Sequence, residues 1–178
     1  MNTGTLWQAA TADPWGNERL FRPVAMVSFA INWFWHGSAL PGFHAVNILV
    51  HILSSYLLFL TTRALFCTPR LEMTDRATAD FISWVAVLLW ALNPVQVQAV
   101  TYIVQRMASL AALFVILGLL LFLRGRLAIS RQRRWLYFGG CGFAFLLALG
   151  SKENAIIMPV ILLVMEILFF RRVAYKRP

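Results

Sequence analysis

LNPVQVQAVTYIVQRMASLAALF, residues 92–114, sits where one apolar run stops and the next begins. Pro94 ends the first run, because proline lacks the N–H that a helix interior needs. At helical spacing Gln98, Tyr102, Gln105, Arg106 and Ser109 share a face, with Val97, Val100, Ile103 and Val104 turned elsewhere. Arg106 leads directly into MASLAALFVILGLLLFL. An arginine at the edge of a membrane span is costly unless it meets water or a charged ligand. The stretch therefore predicts a span with a polar mouth, and the rest of the chain is searched for polar groups set opposite it.

Composition fixes the class. Of the 178 residues, 60% are hydrophobic and 13% charged, and the mean hydropathy is +0.70. A soluble domain keeps about a quarter of its residues charged; this chain cannot clothe such a surface, and it reads as an all-α integral membrane protein. The net charge of +9 would suggest nucleic acid on a soluble chain. Here the cations lie in short loops between apolar runs, which suits topology and anionic lipid and excludes a nucleic-acid partner. Cys67 and Cys141 lie at the end of one span and inside another, so no structural disulfide is expected.

Residues 1–19 are polar and read as a mobile outer arm, ahead of a polytopic membrane domain over 20–178. Residues 22–37, RPVAMVSFAINWFWHG, are apolar, short and aromatic at the end, which predicts an interfacial helix opened by Pro23. SALPG, 38–42, reads as a turn. About five spans follow, at 43–62, 81–93, 107–123, 135–150 and 155–170. Glycines in 135–150 favour close helix packing. Twelve basic residues then fall on one side of the membrane and four, Arg19, Arg22, Arg106 and Lys152, on the other. The positive-inside rule puts the N-terminus outside and the C-terminus in the cytoplasm of a multi-pass protein of the cell (inner) membrane.

That topology gathers Arg22, Arg106 and Lys152 at one level, with His44, Asn47, Tyr102 and Glu153. Forked arginine donors and a lysine point charge suit a phosphate or pyrophosphate head. On the first strong span His44, Asn47, His51 and Ser55 fall on one helical face. No set of three or four metal ligands surrounds the two histidines, which read as hydrogen-bonded packing; no metal or cofactor is expected. Glu166, near the end of the last span, is expected to pair with Arg171 or Arg172. No Ser-His-Asp set, glycine-rich phosphate loop or carboxylate pair is visible, so no catalytic residue is assigned.

FRPVAMVSFAINW, GFHAVNILVHIL, the opening stretch and SKENAIIMPVILLVMEI follow one another in an order and spacing that resembles a known family. It is the GT-C glycosyltransferases with C-terminal tetratricopeptide repeats, bacterial relatives of the transmembrane O-mannosyltransferases. The resemblance covers residues 20–170. It implies a partial GT-C-like membrane domain and transfer of a sugar from a polyprenyl-phosphate donor to an acceptor, commonly a protein hydroxyl, on the non-cytoplasmic face. Arg22, Arg106 and Lys152 are expected to bind the donor phosphate, with His44, Asn47, His51, Gln98, Tyr102 and Glu153 as supporting polar groups; by resemblance Arg106 and Lys152 hold it and Glu153 and Tyr102 support them. In the family an additional first span and an acidic motif supplying the catalytic base come before the matched region, and later spans and the repeats come after it; the chain is expected to be an internal piece or a shortened relative. Asn93-Pro94 stands where the family often has His-Pro. The alternative from a different class is a non-catalytic membrane subunit that binds lipid or a partner protein. A transporter is the third reading, weakened by the lack of broken helices in two matching halves.

Overall fold

Proline, glycine and aspartate punctuate the apolar runs, and the helices start and stop at them. The computed structural model describes residue 8, residues 22–71, residue 73 and residues 75–170. The arm expected over 1–19 lies outside the described residues, Gln8 apart, as do Arg171 and Arg172. All the regular structure described is helical, and the chain is an all-α membrane domain.

Helix α1, Pro23–His36, opens on proline and stops at Gly37, whose φ of 55° a side chain would disfavour. Its 14 residues cover about 21 Å at 1.5 Å per residue, too short for a hydrocarbon core of ~30 Å. It buries Ala25 and Asn32 and leaves Trp33, Phe34 and Trp35 exposed. Helix α2, Leu40–Leu65, begins inside the segment expected to be a turn: Pro41 sits in its first turn, where a missing N–H is harmless.

Helix α3, Arg76–Ala91, is capped by Asp75, whose carboxylate accepts from the Ala77 and Thr78 amides. It buries Ala79, Ser83 and Val87, one residue per turn, and lies along α2. Trp84 packs on Phe59 at 4.4 Å between ring centroids, and Arg63 pairs with Asp80.

The opening stretch is not one helix. Asn93 caps a 3₁₀ turn, Pro94–Gln96, through the Val95 amide. Helix α4, Val97–Thr101, follows, and Pro94–Thr101 bends 54° from α3. Tyr102 is extended, at φ −89° and ψ 117°; a second 3₁₀ turn, Ile103–Gln105, then leads into α5, Arg106–Leu127. The expected polar face running from Gln98 through Tyr102 to Arg106 is therefore corrected. Two backbone breaks turn Gln98 and Tyr102 out to the exposed surface while Arg106 turns in.

Helix α6, Arg131–Leu149, returns antiparallel to α5, with Gly125 against Phe138 and Gly118 near Ala144. The close approach uses Gly118 and Gly125 of α5 and Gly140 of α6, which lies against Leu121; Gly139 and Gly142 of α6 face open space. A turn leads to Glu153–Ile157, α7 (Met158–Met165) and a final π turn, Glu166–Phe170. Leu40–Leu65, Ile103–Leu127 and Glu153–Phe170 are long and apolar enough to cross a membrane, and the bent pair makes a fourth if it counts as one span. Helix α6 falls outside that set, since its first turn carries Arg131, Arg133 and Arg134.

Candidate functional site

Breaking a helix inside a bilayer strands carbonyl groups that water cannot reach. Here α2 supplies the missing donors. His51 Nε2–H donates to the Ala91 carbonyl at 3.2 Å, where α3 ends. Asn47 Nδ2 donates to the Tyr102 and Val100 carbonyls at 3.3 and 3.5 Å, and His44 Nδ1–H to that of Val100 at 3.5 Å. The His44–Asn47–His51 face is thus a ladder that holds the broken segment. Ser55 instead bonds back to the His51 carbonyl of its own helix. The His51 ring also stacks on Trp90 at 5.4 Å.

Arg106 is fully buried. Its Nε donates to Asn47 Oδ1 at 2.8 Å; its Nη2 donates to Asn32 Oδ1 at 2.7 Å and to the Phe43 carbonyl at 2.9 Å. Phe29 and Phe43 place ring faces 4.7 and 5.4 Å from the guanidinium carbon. All its hydrogen-bond partners are neutral oxygens, and Nη1 has none among the described residues. One side chain therefore ties α1, α2 and α5 together while its charge stays uncompensated. Asn32 escaped the sequence reading; its signal was a lone amide seven residues after Ala25, on the buried face of an apolar helix.

Arg22 adopts the left-handed conformation, φ 48° and ψ 55°, which costs a non-glycine residue roughly 1 kcal/mol or more. Three hydrogen bonds hold it there: the fork of Nε and Nη2 on Glu153 at 3.0 and 2.7 Å, and Val24 N–H on the Gly150 carbonyl at 2.9 Å. Its Nη1 also reaches Met107 Sδ at 3.2 Å. Arg22, Met107 and Glu153 thus meet at one end of the bundle. Lys152 precedes Glu153 there, half-buried, its ammonium making no hydrogen bond or ion pair among the described residues. Among the described residues that end holds three cations, Arg22, Arg106 and Lys152, and one carboxylate.

The exposed side chains of Gln98 and Tyr102 make no hydrogen bond among the described residues; Tyr102 acts through its backbone carbonyl. Glu166 lies at the opposite end and pairs with Arg126 of α5 at 2.8 Å; the expected partners, Arg171 and Arg172, lie outside the described residues. Among the described residues no three of His, Cys, Asp and Glu come together as a metal set. Beside the ladder, α2, α3 and α4 enclose a groove of about 750 Å³. Tyr56, Phe59, Trp84, Val87 and Val97 line it, with His51, Asn93 and Gln96 as its polar rim.

Fold and site define a polytopic, all-α membrane domain with a cationic end and an apolar side groove. Its homologues are protein O-mannosyl-transferases. The chain is 34% identical to protein O-mannosyl-transferase TMTC4 of Mus musculus over 129 residues, 66% of this chain and 17% of the relative. It is 27% identical to protein O-mannosyl-transferase Tmtc3 of Drosophila melanogaster over 163 residues, 85% of this chain and 18% of the relative. With TMTC2 of Mus musculus it shares 26% over 163 residues, 91% of this chain and 18% of the relative. The chain thus spans under a fifth of the length of these curated relatives, all of them animal proteins. No family model matches the chain, and no solved structure does.

Proposed function

We propose that the chain is the donor-binding part of a membrane glycosyltransferase of the GT-C type, in a bacterial branch of the O-mannosyltransferase-like family. It takes a polyprenyl-phosphate sugar and passes the sugar to a protein hydroxyl on the non-cytoplasmic face, with its N-terminus outside and C-terminus in the cytoplasm of the cell membrane. The membrane domain runs over residues 20–178. One observation supports this reading: among the described residues that end holds three cations against a single carboxylate, with a buried Arg106 Nη1 that makes no hydrogen bond and a Lys152 ammonium that makes no ion pair. An anionic head offsets that charge, and a phosphate offers the oxygens that forked and point donors seek. Arg22 and Lys152 reach the phosphate directly, Arg106 supplies buried charge, and Glu153 orients Arg22. His44, Asn47 and His51 hold the broken segment, Gln98 and Tyr102 face the approach to it, and the apolar groove takes prenyl chain. The names of the relatives support the acceptor class.

The test is binding of a long-chain polyprenyl-phosphate mannose to the full chain in nanodiscs. Lys152→Ala breaks no side-chain hydrogen bond among the described residues and is expected to weaken binding about tenfold, the loss of one charge-assisted contact. Equal binding by wild type and variant sinks the assignment. A second reading, a non-catalytic subunit binding lipid or a partner protein, is favoured by the engagement of Glu153 with Arg22: among the described residues no other carboxylate at that end is free to act as base. Sugar transfer to a hydroxyl peptide by the chain separates the two.

A further inference from the structure

The other end of the bundle carries a second cationic site that the donor reading does not use. Where α5 turns into α6, Arg124, Leu127, Ala128, Ile129, Ser130, Arg133 and Tyr137 enclose a cleft of about 470 Å³. The acids described at that end are engaged elsewhere: Asp75 caps α3, Asp80 pairs with Arg63 and Glu166 with Arg126. Arg124 and Arg133 make no hydrogen bond or ion pair among the described residues. The first turn of α6 has no acidic residue and no side-chain cap, although the positive end of a helix favours anions. Two exposed guanidinium groups, without an acidic partner among the described residues, thus flank a cleft between two helices.

The surroundings select the ligand. Ile129, at the tip of the turn, is wholly exposed, and Trp135 and Leu136 are exposed on the first turns of α6. Apolar side chains beside cations, with Trp135 and Tyr137 at the same level, match the interfacial layer of a bilayer rather than bulk water. We infer that this cleft binds the phosphate of an anionic phospholipid, Arg124 and Arg133 gripping its oxygens, Ser130 and Tyr137 offering hydroxyls, and the acyl chains lying against Ile129 and Leu136. Charge complementarity commits the occupant to a bilayer lipid, distinct in place and chemistry from a sugar donor at the Arg22–Lys152 end.

The full chain is reconstituted in phosphatidylcholine vesicles, and association of spin-labelled phosphatidylglycerol is compared with that of spin-labelled phosphatidylcholine. Wild type is expected to prefer phosphatidylglycerol, and Arg124→Gln/Arg133→Gln to lose that preference by roughly fivefold per guanidinium removed, the worth of one basic residue at a charged membrane surface. Arg63→Gln/Arg70→Gln removes the same charge outside the cleft and is expected to change it less than twofold. Equal losses in the two double variants, or no loss in the first with helix content intact by circular dichroism, overturns the inference. Arg124→Lys/Arg133→Lys keeps charge and fold; retention of at least half the preference supports the site, and complete loss overturns it.

Discussion

Replacing Asn47 with alanine removes the group through which Arg106 and the broken segment are held by one helix. The amide accepts from the Arg106 guanidinium at 2.8 Å and donates to the Tyr102 and Val100 carbonyls at 3.3 and 3.5 Å. A hydrogen bond to a charged group is worth about 1.5–3 kcal/mol. The two longer bonds add about 0.6 kcal/mol each, the average for side-chain bonds between membrane helices. Asn47→Ala is therefore expected to cost about 3–4 kcal/mol in reversible unfolding by SDS in mixed micelles. A double-mutant cycle with Arg106→Met isolates the pair. The expected coupling is about 1.5 kcal/mol or more, because each single substitution leaves the other residue buried without its partner. Additivity within about 0.5 kcal/mol would refute the reasoning, since independent residues behave that way. Asn32→Ala in the same assay loses the 2.7 Å contact to Nη2 and the 3.3 Å contact of its amide nitrogen with His36 Nδ1, one bond fewer than Asn47→Ala, and ranks below it.

His51→Leu strands the Ala91 carbonyl and is expected to cost about 1 kcal/mol in the same titration, while His51→Gln, which keeps a donor, recovers part of it. Gly118→Val drives a side chain into Met158 and is expected to cost about 1–3 kcal/mol; Met158→Ala in the same chain should relieve it. The hydroxyl and amide of Thr78 and the amide of Ala77 hold the Asp75 carboxyl below its ordinary value. Its contribution to α3 is therefore present above the ordinary aspartate range and lost as pH falls through the lowered folded pKa. The Ala77 and Thr78 amide shifts should follow that titration in wild type and stay flat in Asp75→Asn.

Much of the architecture was legible because bilayer physics constrains it. Apolar length pointed to spans at 43–62 and 107–123, which lie inside the helical stretches Leu40–Leu65 and Ile103–Leu127; the spacing of His44, Asn47 and His51 gave the face that meets the broken segment. Adjacency in sequence pointed Glu153 to Lys152, whereas its carboxylate is held by Arg22, 131 residues away, a partner that only the packing of the chain brings near. The continuous polar face was misread for a local reason. Helical periodicity assumes an unbroken backbone, and the extended conformation of Tyr102 rotates everything after it. Proline announced the first break; nothing in the residues around Tyr102 announced the second, which tertiary bonds from Asn47 stabilise. Asn32 was invisible because a single amide in an apolar helix has no partner in sequence. The basic turn between α5 and α6 was legible as charge, but its cleft needed the antiparallel packing to bring Arg124 to Arg133.

The most direct test of a donor phosphate at the Arg22–Lys152 end is photocrosslinking. A polyprenyl-phosphate mannose with a diazirine on the prenyl unit next to the phosphate is bound to the full chain in nanodiscs, irradiated, and the labelled peptides are mapped by mass spectrometry. Label is expected in peptides containing residues 22–24, 107 and 150–153, and to fall when Lys152 is replaced by alanine. Label confined to residues 124–137, or unchanged by that replacement, would contradict the account.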